Sequence, residues 1–283
     1  MNRTFLNHWL QSLVTSLGES LSSQDVDIIS QAVNGTYKLA LKDRTLAKIA
    51  PFFALSTPGS LAGRLSLWHS AGPYQHLFGN EEDCLSLNRP VVGFEMGTLL
   101  QHPQMIGPVL LYLFHRIDLV LDGTPTMIVL DEAWALLDNP IFAPRIKDWL
   151  KTLRKRNAFV VFATQSVEDA SNSTISDTLV QQSATQIYFP NAKATEAYRT
   201  VFKLTERELD LVRHLDPSSR SFLLKQGHDV LVTKIDLSQM PEMISVLSGR
   251  SETVAALDRL RAEVGNDPNV WLPHFLEAHH GKR

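Results

Sequence analysis

The chain has 283 residues and is 44% hydrophobic, which is enough apolar material for one large domain or two small ones. Its formal net charge of -3 excludes the basic surplus that is typical of a tight, nonspecific nucleic-acid binder. The single cysteine, Cys84, excludes a disulfide within the chain and fits a reducing cytoplasm.

The first part of the chain, up to about Leu67, is predicted to be helical. Apolar side chains recur every four residues near the N-terminus, as on one face of an amphipathic helix, at Phe5, Trp9, Leu13, Leu17 and Leu21. A second helix is predicted to start at Ser23, which precedes two aspartates, and to end at Asn34-Gly35.

From Pro90 onward, short apolar strands alternate with helices. Buried strands are predicted over residues 91–96, 126–130, 158–165 and 186–189. Helices are predicted over residues 105–120, 141–155, 174–183 and 195–215, the last one broken near residue 204. The alternation indicates a parallel sheet covered by helices on both faces. The apolar run at 108–121 is too short to span a membrane and contains charged residues, so it is assigned to a buried helix.

The last part of the chain has a different pattern. Two apolar segments, residues 221–225 and 230–235, flank Gly227 and predict a β-hairpin. The tail is predicted to be helical over residues 252–264.

Two adjacent carboxylates, Asp131 and Glu132, end the second predicted strand. Ligands of open parallel sheets bind at the carboxyl ends of the strands. Two buried acids repel each other and cost desolvation energy, which a bound cation offsets. Nucleotide hydrolases use such a pair to hold Mg²⁺ and to orient or deprotonate the attacking water. The alternative is a solvated acidic turn, and the motif alone does not decide between the two.

The following strand also ends in polar residues, Thr164 and Gln165. A glutamine at this position can donate to a γ-phosphate or position a water molecule. A loop glutamine that faces solvent is the alternative. Suitable groups at two strand ends are less expected by chance than at one, so the pair of motifs favours a nucleotide site.

Three cations lie between these motifs, at Arg154, Lys155 and Arg156. Cations in the last turn of a helix interact favourably with its dipole, and on residue type alone this interpretation is preferred. The other interpretation is an arginine finger, which stabilises the negative charge that develops on a transferred phosphoryl group.

A phosphate-binding loop is absent from the sequence. Such a loop has the pattern G-x-x-x-x-G-K-[ST], whose backbone amides and lysine cradle the phosphates. The only Gly-Lys pair, Gly281-Lys282, is at the extreme tail and is followed by arginine. The acidic motif therefore has no phosphate cradle in the same chain.

Several motifs together resemble the VirB/TrbE/CagE-type ATPases of type IV secretion and conjugation systems. They are GFEMGTLLQHP, MIVLDEAWALL, WLKTLRKRNAFVVFATQS, IYFPNAKA, VFKLTERELDLV and VLSGRSETV, in this order. The resemblance implies an α/β, RecA-like P-loop NTPase core with a mostly parallel sheet, from which the P-loop strand is missing. It further implies a helical subdomain over residues 1–88, as part of a family insertion. Residues 89–283 then form the C-terminal part of the core and a helical tail.

The resemblance also implies roles for individual residues. Asp131 is expected to hold Mg²⁺ through water, and Glu132 to be the catalytic glutamate. Gln165 is expected to sense the γ-phosphate, with Thr164 at the nucleotide beside it. Arg154 is the first candidate for a finger that reaches a neighbouring subunit, and Arg156 the second. ATP and Mg²⁺ are expected to bind only when a P-loop segment completes the chain, so activity of this chain is left open.

The implied function is ATP hydrolysis that energises pilus assembly or the transfer of DNA or protein. The expected place is cytoplasmic, on the inner face of a bacterial inner membrane, with other secretion subunits as partners. A homo-oligomer is expected, with a hexamer as one candidate form. Met1 is expected to be the start of a truncated or split reading frame, or a fragment boundary. Two alternatives are a non-hydrolysing scaffold subunit and a DNA-pumping translocase, although the net charge gives DNA contact no support.

Overall fold

A computed structural model describes residues 2–53, 57, 59–132, 136–137, 139–165, 167, 175–247 and 249–279. The chain divides into two compact units, Met1–Gln182 and Ser183–Arg283. The division at residue 88 that the sequence suggests lies inside the first unit and stays a prediction.

The first unit begins with helices, as predicted. They are α1 (Asn2–Val14), α2 (Ser23–Thr36), α3 (Leu46–Ile49), α4 (Leu61–Leu65) and α5 (Gln75–Phe78), with 3-10 turns at Leu41–Asp43, Ala50–Phe53 and Ser66–Trp68. A capping box starts α2, because the Ser22 hydroxyl accepts from the Asp25 N–H and the Asp25 carboxylate accepts from the Ser22 N–H. The apolar face predicted for the first helix, from Phe5 to Leu21, extends beyond the end of the observed helix. The helix ends at Val14, before a turn in which Gly18 has a φ of +91°.

The second half of this unit contains the predicted parallel pair of strands. Its helices are α6 (Gly97–Leu100), α7 (Pro103–Val120), α8 (Phe142–Thr152) and α9 (Ser176–Gln182), and its strands are β1 (Thr126–Asp131) and β2 (Ala158–Ala163). The strands pair in parallel from Thr126↔Ala158 to Asp131↔Ala163. A 3-10 turn, Leu153–Arg156, joins α8 to β2. The predicted start of α9 at residue 174 lies outside the described residues.

The first predicted strand, over residues 91–96, is wrong. The structure has no strand there, and the Val91 side chain is 87% exposed. An apolar run becomes a strand only when a neighbouring strand satisfies its backbone donors and acceptors. Within the described residues β1 pairs only with β2, so no strand satisfies the backbone groups of residues 91–96.

The sheet of β1 and β2 is covered on one face rather than on both. Ile128, Leu130, Val160 and Phe162 pack against a core that α7 and α8 provide. The side chains that alternate with them are exposed, and they include Met127 at 59% and Phe159 at 57%. Strands buried on both faces were predicted because both faces are apolar, but apolar character alone does not supply the covering layer.

The second unit contains an antiparallel sheet in the order β3-β4-β5. Its elements are β3 (Thr185–Tyr188), α10 (Ala197–Thr200), α11 (Glu206–His214), β4 (Ser221–Gln226), β5 (Asp229–Lys234), α12 (Pro241–Leu247), α13 (Ser251–Val264) and α14 (Pro268–His279). The predicted hairpin is confirmed, and Gly227 in its turn has a φ of +61°. The assignment of residues 186–189 to the parallel sheet is wrong, since β3 pairs antiparallel with β4. Within the described part of the chain, none of the helices combines the length and hydropathy that a bilayer span requires.

Candidate active site

The carboxyl ends of β1 and β2 bring the predicted acidic motif and the predicted glutamine together. Asp131 is the last residue of β1 and lies opposite Ala163. The next residue, Glu132, donates its N–H to the Ala163 carbonyl at 3.0 Å. The Glu132 carboxylate in turn accepts the backbone N–H of Gln165 at 3.1 Å. Two residues that are 33 positions apart in sequence therefore share one exposed edge of the sheet.

Glu132 has an unusual backbone conformation, with a φ of +50°. Few side chains other than asparagine and aspartate adopt the left-handed region, and doing so costs about 1 kcal/mol. The hydrogen bond to Ala163 fixes the amide of this residue, and the hydrogen bond from Gln165 holds its carboxylate. A strained residue that its surroundings hold on both sides is typical of a functional position.

The side chains at this edge suit a Mg²⁺ site that water and phosphate complete better than a metal site formed by protein ligands alone. Asp131 and Glu132 are both exposed, and Thr164 is half-buried between β2 and Gln165. Among the described residues, no group of three or more histidine, cysteine, aspartate or glutamate side chains is placed to bind a metal. Proteins usually bind Mg²⁺ with one or two carboxylates, and water and phosphate oxygens complete the shell.

The predicted arginines lie at the other end of the strands. Their turn, Leu153–Arg156, directly precedes β2 and is therefore at the amino ends of the parallel pair. A strand of six residues separates that end from the acidic edge by roughly 17 Å. Arg154 is exposed, while Arg156 pairs with Asp118 at 3.3 Å. One copy of the chain thus does not bring either arginine to its own Glu132.

Sequence reasoning did not find Asp118. This residue lies in the last turn of α7, and its carboxylate accepts the indole N–H of Trp149 at 3.1 Å. The same carboxylate pairs with Arg145 and with Arg156. The available signal was an acid within the most apolar stretch of the sequence. Burial lowers the pKa of Arg145, with the Asp148 carboxylate raising it and the Arg156 charge lowering it, but arginine stays protonated at pH 7.

A cavity of about 600 Å³ lies elsewhere in the first unit, among α1, α2 and α7. The ring of Phe5 stacks on His115 in its wall, with centroids 3.7 Å apart. The Tyr112 hydroxyl donates to Asp83 at 2.5 Å, and burial together with this contact raises the pKa of Tyr112 to about 12. None of the site residues predicted from the sequence lines this cavity. The cavity is therefore separate from the acidic edge.

Both the sequence and the fold of the chain are similar to those of known proteins. The family model of the TraG P-loop domain matches residues 57–233. The type IV secretion system protein virB4 of Bartonella henselae is 37% identical over 276 residues, which are 97% of this chain and 35% of that protein. Its counterpart in Brucella abortus biovar 1 is 33% identical over 289 residues, with 98% and 35% covered. The chain spans about a third of the length of these curated relatives.

One solved structure shows the same fold. The structure of VirB4 of Thermoanaerobacter pseudethanolicus matches with a TM-score of 0.57 and 17% sequence identity, over 81% of this chain and 68% of that one. The predicted RecA-like core and the resemblance to type IV secretion proteins are both confirmed. A P-loop NTPase family implies nucleotide binding. The chain therefore belongs to the TraG P-loop domain family, and almost its whole length is similar to virB4 proteins of type IV secretion systems.

Proposed function

We propose that this chain supplies the metal-binding and water-activating part of an ATPase that drives pilus assembly or substrate transfer in a type IV secretion system. One observation carries the proposal. The Glu132 carboxylate is held by the Gln165 N–H at the carboxyl ends of two parallel strands, next to Asp131. Family membership and the names of the relatives support it, and they favour neither a scaffold subunit nor a DNA translocase.

Each group at the acidic edge has a distinct role in this proposal. ATP would supply the γ-phosphoryl group, and bound Mg²⁺ would neutralise its charge. Asp131 would hold the ion, and Glu132 would orient the attacking water and accept its proton. The side-chain amide of Gln165 donates to the γ-phosphate, since its backbone N–H is already used by Glu132. Thr164 lies next to the nucleotide.

The phosphate cradle has to come from outside this sequence, because no P-loop motif is present in it. We refer to this chain joined to a P-loop segment of the same family as the completed ATPase. ATP and Mg²⁺ are proposed as ligands of the completed ATPase.

The proposed assembly is a homo-oligomer at the cytoplasmic face of a bacterial inner membrane, with other secretion subunits as partners. An oligomer would explain how Arg154, which is at the wrong end of the sheet for its own Glu132, can reach a nucleotide site. Arginine fingers are supplied in this way by neighbouring chains. The substrate transfer in this proposal includes conjugation.

The test is the substitution Glu132→Gln in the completed ATPase. Glutamine keeps the size of the side chain but cannot accept the proton, so we expect turnover to fall by about 10²- to 10⁴-fold with ATP affinity unchanged. The measurements are steady-state phosphate release and equilibrium nucleotide binding. Glu252→Gln, at an exposed position on α13, is the matched control and should keep parental turnover.

Two results would contradict the proposal. Parental turnover in Glu132→Gln would remove the role given to this carboxylate. ATP turnover by the 283-residue chain alone that depends on Glu132 would show that no further phosphate cradle is needed.

A further inference from the structure

The turn Leu153–Arg156 is fixed on both sides of Arg154. Leu153 is buried in the core beneath the sheet. The Asn157 side chain, just after the turn, donates to the Gly123 carbonyl at 3.1 Å, and its backbone has a φ of +55°. Arg156 is held by Asp118. The backbone of the turn therefore has little freedom, although its middle residues are exposed.

The Asp118 carboxylate contacts three side chains that come from other elements of the fold. Its oxygen Oδ1 accepts from Trp149 Nε1 at 3.1 Å and from Arg156 Nη1 at 3.3 Å, and Oδ2 pairs with Arg145. These partners come from α8 and from the turn before β2, while Asp118 itself is on α7. An acid in the last turn of a helix is disfavoured by the helix dipole, so the two arginines offset an unfavourable placement.

The two arginines of the turn differ in what they contact. Arg156 is engaged by the Asp118 carboxylate, whose side chain is only 20% exposed. Arg154 is exposed, and within the described residues no ion pair includes it. A cation that only complements a helix dipole does not need a turn anchored at several points. A cation that must reach a phosphoryl group in another copy does need one, because positioning errors of about 1 Å can reduce rates 10²-fold.

We propose that Asp118 is a positioning residue: by holding Arg156, it fixes the turn so that Arg154 is presented to the nucleotide site of a neighbouring copy. The inference rests on the proposed ATPase function. Arg156, the second candidate for the finger on sequence grounds, becomes the anchor of the turn, and Arg154 remains the group that contacts the phosphoryl oxygens.

The first arm of the test uses the completed ATPase and needs no nucleotide. Amide hydrogen exchange is measured over residues 153–157 in the parent, in Asp118→Asn and in Arg156→Ala. We expect both variants to lose protection in this segment, since each one breaks the same anchor. Arg156→Ala keeps the test decisive if Asp118→Asn fails to fold, because Arg156 is exposed. Asp148→Asn is the matched control, as it removes an acid 3.6 Å from Arg145 and leaves Arg156 paired.

The second arm uses mixed copies of the completed ATPase. Copies with Arg154→Ala keep Glu132, and copies with Glu132→Gln keep Arg154, so a mixture can form sites with both groups and recover turnover. Asp118→Asn or Arg156→Ala is then added to one kind of copy at a time. In the copies that donate Arg154, we expect recovered turnover to fall by about 10-fold or more. In the copies that receive it, we expect the rate to stay within about two-fold, since their own turn donates nothing.

The outcomes separate the inference from the proposed function. Unchanged protection of residues 153–157 in both variants would overturn the anchor. An equal loss of recovered turnover with either placement would show a general structural role and would also overturn the inference. Failure of the mixture to recover turnover would remove Arg154 as a group supplied between copies. A completed parent without any turnover would contradict the ATPase proposal itself, while the exchange arm still judges the anchor.

Discussion

Glu132 combines a demanding backbone conformation with the chemistry proposed for the site. Its φ of +50° suits glycine better than glutamate, yet the carboxylate is what receives the Gln165 N–H. A glycine here would relax the backbone and abolish the proposed function. The residue is therefore a place where stability and activity make opposite demands.

This conflict can be measured by comparing Glu132→Gly with Glu132→Ala in the completed ATPase. Both variants lose the carboxylate, but only glycine escapes the left-handed cost, so we expect Glu132→Gly to be more stable by about 1 kcal/mol. Urea unfolding gives the difference. At the exposed Lys151, in the last turn of α8, the same pair of substitutions should show alanine as the more stable one. If alanine is the more stable residue at both positions, the backbone of Glu132 is not strained.

At the level of elements, a buried ion pair joins α11 to β4. Lys225 Nζ donates to Glu208 Oε2 at 2.8 Å and to the Lys203 carbonyl at 3.0 Å. The two paired side chains are only 14% and 11% exposed. Glu208 also accepts the Thr205 N–H at 2.8 Å in the capping box that starts α11. Its carboxylate therefore fixes both the helix start and the position of the helix on the sheet.

The pair predicts a pH dependence of stability. Burial raises the pKa of Glu208, but the hydrogen bonds from Lys225 and from the Thr205 N–H together lower it by more. The pKa of Glu208 therefore lies below its ordinary value. A carboxylate whose pKa is lower in the folded state contributes its full stabilisation above the unfolded value of about 4.3. That contribution is lost as the pH falls through the folded pKa.

The variant Glu208→Gln tests this dependence, because glutamine can still cap the helix but cannot pair with Lys225. At pH 7 we expect it to lower the free energy of unfolding by about 3 kcal/mol, since a buried charge is left without its partner. The gap between variant and parent should narrow when urea unfolding is repeated below pH 4. A gap that is constant between pH 7 and pH 3 would show that the charge of Glu208 contributes nothing.

The same elements show what the sequence could predict. The helix start at Ser23, the helix break near residue 204, the hairpin at Gly227 and the acidic end of β1 depend on local chemistry, and the structure has them where they were predicted. Residues 91–96 and β3 depend on which strand lies beside them, and apolar runs carry no such information. The contact between Glu132 and Gln165 follows from strand order, whereas the anchor at Asp118 depends on how helices pack, which no motif reports.

At the scale of the whole molecule, the exposed face of β1 and β2 is apolar like a core but is left uncovered by the described residues. Apolar side chains on this face, among them Met127 and Phe159, are more than half exposed. In the described residues β2 pairs only with β1, and β3 only with β4, so each has a second edge without a partner strand. Such edges favour pairing with other chains. A P-loop strand that is central in the sheet and lies beside β2, as the resemblance implies, would occupy the second edge of β2.

We therefore expect the isolated chain to aggregate or to bind hydrophobic dyes, and the completed ATPase to do neither. Light scattering and dye fluorescence at equal concentration measure the two effects. Supplying the P-loop segment as a separate polypeptide should also suppress them. A soluble monomer with a sharp, cooperative melt would show that the sheet is complete without that strand, and the proposed strand order would have to be abandoned.

The short loop between β4 and β5 also affects the timing of folding. Only Gly227 and His228 separate the two strands, so the hairpin closes a loop of minimal length. Hairpins of this kind form in about 1–10 μs, whereas the cost of closing a loop rises with its length. The pairing of β1 with β2 must wait for a crossover of 26 residues, 132–157, that includes all of α8. Folding of the second unit can thus begin with a hairpin whose strands are already close in sequence. We expect the sheet edge that carries Glu132 to form later.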